Sequence, residues 1–231
     1  MNARTQSFVL LLFGGALVRL AVGDELLRYV RPVARPFVFA AGVSILALAV
    51  WSIAQSHRRG IGEPIDAHGH GASHAAWLII APVVAILVVA PPALGAYSAT
   101  RTPVTVAKPT DVAFPSLPGG DPVRLSLIDF AARALWDEGR TIANRTLSLT
   151  GFVVHTSAGG FTLARLVITC CAADARPIEI GVLGSGSPPR RDEWVTVTGH
   201  YAGVNPSDTT LPLLRATSVR RVGQPSNPYD G

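Results

Sequence analysis

Apolar and polar residues change their period partway along the chain. In the N-terminal part the apolar residues run without alternation. Residues 7–23 are apolar except for Arg19, Phe37–Ile53 carries no charge, and Ala75–Ala96 has Trp77 near one end with Tyr97 just past the other. At about 1.5 Å rise per residue, stretches of this length approach the thickness of a bilayer core. Each is therefore expected to be a transmembrane helix, with aromatics at the interface and Pro91 and Pro92 kinking or ending the third. For residues 7–23 a cleaved signal peptide competes. Arg4 suits its basic start, but Arg19 interrupts the apolar stretch and no small-residue cleavage pattern follows. A membrane helix with Arg19 snorkelling to the headgroups is the preferred reading.

Residues 98–122 are rich in Pro, Thr, Ser and Gly and read as an extended linker. Beyond them the period shortens. Leu125, Ile128, Phe130, Ala131, Leu135 and Trp136 fall at helical spacing, which predicts an amphipathic helix starting near Ser126 and stopped by Gly139. Five strand-like runs follow: Thr146–His155, Phe161–Thr169, Pro177–Leu183, Glu193–Tyr201 and Leu211–Val222. Five short strands over so few residues predict an OB-like Greek-key barrel, with a small sandwich as the alternative. Gly151 and Gly199 would ease the bending that closure requires. The expected fold is thus a membrane-anchored α+β chain: three transmembrane helices (1–97), a linker (98–122), and an OB-like five-stranded β-barrel with a preceding helix (123–231).

Composition agrees with this division. Hydrophobic residues make up 48% of the chain and charged residues only 15%, a low charge content for a soluble protein. Of the net +5 charge, residues 1–120 hold nine Lys/Arg against five Asp/Glu, and residues 121–231 hold eleven against ten. The near-neutral C-terminal half, lacking a dense aromatic and basic strip, argues against nucleic-acid binding.

The chemistry-bearing residues cluster twice. Cys170 and Cys171, with Asp174 three residues on, close the second strand-like run, and Arg165 and Arg176 flank them. On a continuous strand the two thiols would point to opposite faces. One would then pack inward as a small hydrophobe and the other face outward. A bulge after Thr169 would instead bring both sulfurs to one side. Two thiolates and a carboxylate make an incomplete zinc site, and a nearby cation could populate a reactive thiolate. The second cluster is His68, His70 and His74, with His57, Glu63 and Asp66 nearby, in a Gly-containing loop that reads either as a metal-capturing segment or as a solvated spacer. Asp137, Glu138 and Arg140, and separately Asp192 and Glu193, read as solvated charges. There is no phosphate loop, no defensible Ser/His/Asp arrangement and no zinc-protease motif, so the chain is read as not an enzyme.

The helix ending Leu135-Trp-Asp-Glu-Gly-Arg140, the run Leu147-Ser-Leu-Thr-Gly-Phe-Val-Val154, the segment Arg165-Leu-Val-Ile-Thr-Cys-Cys-Ala-Ala-Asp174, Trp194-Val-Thr-Val-Thr-Gly199 and Asn227-Pro-Tyr229 together resemble the YcgQ-like family of bacterial permease subunits. The resemblance implies an accessory subunit of a multi-span permease in the same bilayer, with a suspected link to metal homeostasis. Its second loop would be cytoplasmic, which places the β-domain outside the cytoplasm. A simple count of loop arginines favours the opposite orientation. The histidine run is shorter here than the resemblance leads one to expect. On this reading Arg165, Cys170, Cys171 and Asp174 are the ligand-binding residues. The same two thiols and carboxylate, with His68, His70 and His74, are the candidate metal ligands, zinc being the suspected ion. The alternative is a membrane-anchored thiol oxidoreductase or metal-binding protein.

Overall fold

The computed structural model describes residues 3–58, 94–100, 114–157, 159–184 and 186–230. It divides into two compact units, the first ending at Pro92 and the second beginning at Ala93.

The first unit contains helices α1 (Ala3–Val22) and α2 (Arg35–Arg58), joined through two short 3-10 turns. The helices cross closely because glycines face the contact. A Cβ on Gly14 would come within 2.9 Å of Leu46, and one on Gly42 within 2.9 Å of Val18. Arg35 closes the hairpin by donating to the carbonyls of Ala21 and Val22, both at 2.6 Å. These are carbonyls that the end of α1 leaves without helical partners. Among the described residues one segment, Pro32–Gln55, is long and apolar enough to cross a membrane; the apolar part of α1, Ser7–Val22, is shorter. Most of the expected third span, like the histidine loop, lies outside the described residues.

The second unit is a closed five-stranded barrel with a preceding helix. Its elements are a helical turn α3 (Ala96–Ala99), β1 (Val123–Arg124), helix α4 (Leu127–Trp136), β2 (Leu147–Ser157), β3 (Gly160–Val167), β4 (Arg176–Leu183), β5 (Trp194–Asn205), β6 (Asp208–Arg221) and β7 (Tyr229–Asp230). The barrel runs β2-β5-β6-β4-β3 and closes through a β2–β3 pairing; β4 and β6 are parallel and the other four pairings antiparallel. This is the Greek-key arrangement the five runs predict, and every predicted strand is present.

Alternation decides which side chains fill the barrel. Leu147 and Leu149 on β2, Leu163 on β3, Ile178 and Ile180 on β4, Val195 and Val197 on β5 and Leu214 on β6 form the interior. Leu127, Phe130, Ala131 and Ala134 of α4 pack onto the same core. The helix starts where expected because the Ser126 side chain accepts from the Asp129 amide at 3.1 Å. It stops where Gly139 takes a positive φ of 73° and its amide bonds to the Arg133 carbonyl. A second cluster lies on the other side of β2 and β3, where Phe152, Val154, Ala164, Leu166 and Ile168 pack with α3 and Tyr229.

Strands β2 and β3 pair from Phe152↔Ala164 onward, towards their shared turn. Beyond that point they part. There β1 adds in parallel to the free edge of β2 and β7 in parallel to the free edge of β3. Two short strands thus fill a seam that would otherwise expose unpaired backbone. Gly151 sits where the seam begins, and a Cβ there would stand 2.5 Å from the Ala164 carbonyl. Gly199 lies at a register shift between β5 and β6, and a Cβ there would collide with the Arg215 carbonyl. Because backbone cannot move aside as a flexible side chain can, Gly199→Ala is expected to cost about 1–3 kcal/mol by overpacking. Denaturant unfolding of the purified protein, followed by near-UV circular dichroism, measures this; an unchanged midpoint would contradict it.

Candidate functional site

Strand β3 ends at Val167, so Cys170 and Cys171 lie in the loop beyond it and not on the strand. The Asp174 carboxylate accounts for the change of direction. It accepts the amides of Thr169 at 2.9 Å and Cys170 at 2.8 Å, pulling the chain into a tight turn that leads into a 3-10 turn, Ala172–Asp174. The two thiols therefore do not diverge as they would on a strand: Cys170 is exposed, Cys171 is half-buried, and their sulfurs are 3.7 Å apart. Both are free.

The electrostatics of this loop are set by Asp174. Its hydrogen bond with Cys170, followed by that of Cys171, pushes the Cys170 thiol up to about 11. The same bond with Cys170, together with the backbone amides, lowers the pKa of Asp174. Of the two flanking arginines, Arg165 is committed away from the pair. Arg165 engages β7 instead: its Nη2 donates to the Asn227 carbonyl at 2.8 Å, and its guanidinium lies 5.8 Å from the centre of the Trp194 ring.

As a metal site the loop is half complete. Two thiolates on one tetrahedral zinc, at about 2.3 Å each, would be roughly 3.8 Å apart, close to the separation seen here. Both Asp174 oxygens, however, are occupied by amides. Among the described residues no three His, Cys, Asp or Glu side chains form a group able to hold a metal ion. His68, His70 and His74 lie outside the described residues.

Arg165 belongs to a second locality, at the parted seam. Its Nε lies 3.1 Å from the carboxylate of Asp230, a residue with 5% of its surface exposed. The other Asp230 oxygen accepts the amides of Leu127 at 2.8 Å and Ile128 at 3.4 Å, the first residues of α4. Burial raises the pKa of Asp230, while Arg165 and the two amides oppose the shift. A cleft of about 530 Å³ opens beside this pair, lined by residues of β1, β2, β3, β5 and β6.

Three acids read as solvated have structural partners instead. Asp137 is buried and accepts the Thr141 amide at 2.9 Å; the Thr141 side chain foremost, then that amide and Arg140, lower its pKa against the opposing effect of burial. Asp192 accepts the Ala96 amide at 2.6 Å, tying α3 to the barrel. Glu193 pairs with Arg221 at 2.7 Å. Sequence reasoning missed Asp230 altogether; the one available signal was an acid directly after the Asn227-Pro-Tyr229 segment.

The fold and loop define a class: a small closed-barrel domain with a capping helix, carrying a pinned two-thiol loop at the end of its second barrel strand. Residues 134–230 match the family model described as the DUF1980 C-terminal domain, an uncharacterised family. The match covers the end of α4 and all five barrel strands, and nothing in it conflicts with the YcgQ-like resemblance. No curated protein matches the chain.

Two predictions follow from this geometry. Alkylation of Cys170 is expected to be slow at about pH 8 and to rise towards a titration near 11. Asp174→Asn should speed it at about pH 8 several-fold by removing the main cause of the elevation; equal rates in both proteins, read by mass spectrometry, would contradict this. Asp230→Ala should lower stability by about 3–5 kcal/mol, since it leaves the Arg165 charge uncompensated in a mostly buried site. Adding Arg165→Met should recover part of that loss, and simple additivity in denaturant unfolding would exclude the coupling.

Proposed function

We propose that this chain is an integral-membrane accessory subunit of a multi-span permease. In this reading its barrel lies outside the cytoplasm and docks on the permease or presents a small ligand or metal ion to it. The loop of Cys170, Cys171 and Asp174 is the site. The observation that carries the proposal is the pairing, in one chain, of a membrane-length apolar helix with a closed barrel bearing two adjacent, accessible thiols. A rigid barrel suits display of a loop at a fixed position, and two sulfurs 3.7 Å apart suit transient capture of a soft ion. Zinc is the candidate.

The alternative, a membrane-anchored thiol oxidoreductase, needs a populated thiolate at neutral pH. A Cys170 thiol held near 11 by Asp174 weighs against it. A metal that displaced the proton would overcome the same elevation imposed by Asp174, because ligation and deprotonation are coupled.

The test has two parts. A reporter active only outside the cytoplasm, fused after the barrel, is expected to be active. The chain purified from its native membrane in mild detergent is expected to co-elute with a multi-span membrane protein in fixed ratio. A silent reporter together with a chain that elutes alone at native abundance would overturn the proposal.

A further inference from the structure

The parted seam between β2 and β3 has chemistry that neither the thiol loop nor the docking reading uses. Its cleft is lined by three arginines, Arg124 from β1, Arg165 from β3 and Arg220 from β6. One carboxylate, Asp230, stands among them, and it is fully committed. One of its oxygens faces Arg165 and the other accepts the amides at the start of α4. Its charge is therefore spent on Arg165 and the helix end. Among the described residues neither Arg124 nor Arg220 has an ion-pair partner, and both are exposed.

The remaining wall is hydroxylic. Ser148 and Thr150 of β2 and Thr196 of β5 line the cleft. The Thr150 and Thr196 hydroxyl oxygens are 2.8 Å apart. One of the two donates to the other, so the pair keeps one hydroxyl hydrogen to offer outward. Arg165 is itself held in place, by the Asn227 carbonyl and the Trp194 ring, while its Nη1 reaches the Thr150 carbonyl at a long 3.5 Å and retains donor capacity. Two uncompensated cations, a fixed third guanidinium and spare hydroxyl donors around one concavity are complementary to an oxyanion.

We propose that this seam binds a small oxyanion-bearing ligand, a phosphate or carboxylate compound. Arg124 and Arg220 supply the charge, and Arg165 with the Thr150–Thr196 pair supplies fixed donors. A cleft of about 530 Å³ falls in the size range of small-molecule sites. Its formation follows from the fold, because the cleft exists only where β2 and β3 separate and β1 and β7 take their places. The proposal rests on the barrel alone and is independent of the thiol-loop reading.

The full chain in non-ionic detergent is titrated calorimetrically with inorganic phosphate and with succinate, against chloride at matched ionic strength. Saturable binding of at least one of the two anions, in the low millimolar range or tighter, is expected, with none for chloride. The tighter of the two identifies the ligand subclass. The double variant Arg124→Gln/Arg220→Gln should weaken that binding at least about tenfold. Its melting temperature should stay that of the parent, because both residues are exposed and unpaired. Cys170→Ser/Cys171→Ser should bind as the parent does, which separates this site from the thiol loop. Absence of saturable binding for both anions, or parental affinity in the arginine double variant, would overturn the proposal.

Discussion

The carboxylate of Asp230 is where three requirements of the barrel domain meet. The end of β3 needs a neighbour on its open edge, the first amides of α4 need an acceptor, and Arg165 needs a counter-charge. β7 meets the first through its backbone and the other two through one side chain. A charge buried this deeply is costly unless paired and hydrogen-bonded, and both conditions hold here. The helix that packs onto the barrel core and the seam strands that close its side are thus fixed by the same group. This explains why a two-residue strand can persist, although a strand so short contributes little on its own.

Asp174 plays a local version of the same role. It ends β3 by capturing two amides that an extended strand would have offered to a neighbour. The price is chemical, since the carboxylate that shapes the loop also keeps the nearer thiol protonated. Shape and reactivity of the two-cysteine loop therefore cannot be changed separately through this residue. A ligand that requires thiolates must supply the compensating positive charge itself.

Much of the barrel was legible in the residues. The alternation Val195-Thr-Val-Thr-Gly199 and its counterparts specify strands because one face must be buried, and Ser126 and Gly139 mark helix ends through local hydrogen bonding and backbone geometry. What was hidden depends on partners distant in sequence. Nothing near Arg165 announces Asp230, and nothing near Asp192 announces the Ala96 amide. The run from Leu166 to Thr169 has strand composition, but a side chain five residues past Thr169 ends the strand earlier. Residues 94–96 read as the end of an apolar span and 98–100 as the start of a linker, yet α3 packs with Phe152 and Val154 on the barrel. Composition cannot distinguish burial against lipid from burial against protein.

The seam strands also impose an order on synthesis. β3 and the start of α4 are made well before β7, and their partner residues stand 62–65 positions downstream of Arg165. While the chain emerges, Arg165 has no counter-charge and the edge of β3 stays open. The four antiparallel pairings of the barrel can form earlier, since they join β2 to β6 without β7. A nascent chain that has not yet delivered residue 230 is therefore a barrel with an unlatched side, at the place where an exposed strand edge invites a foreign one.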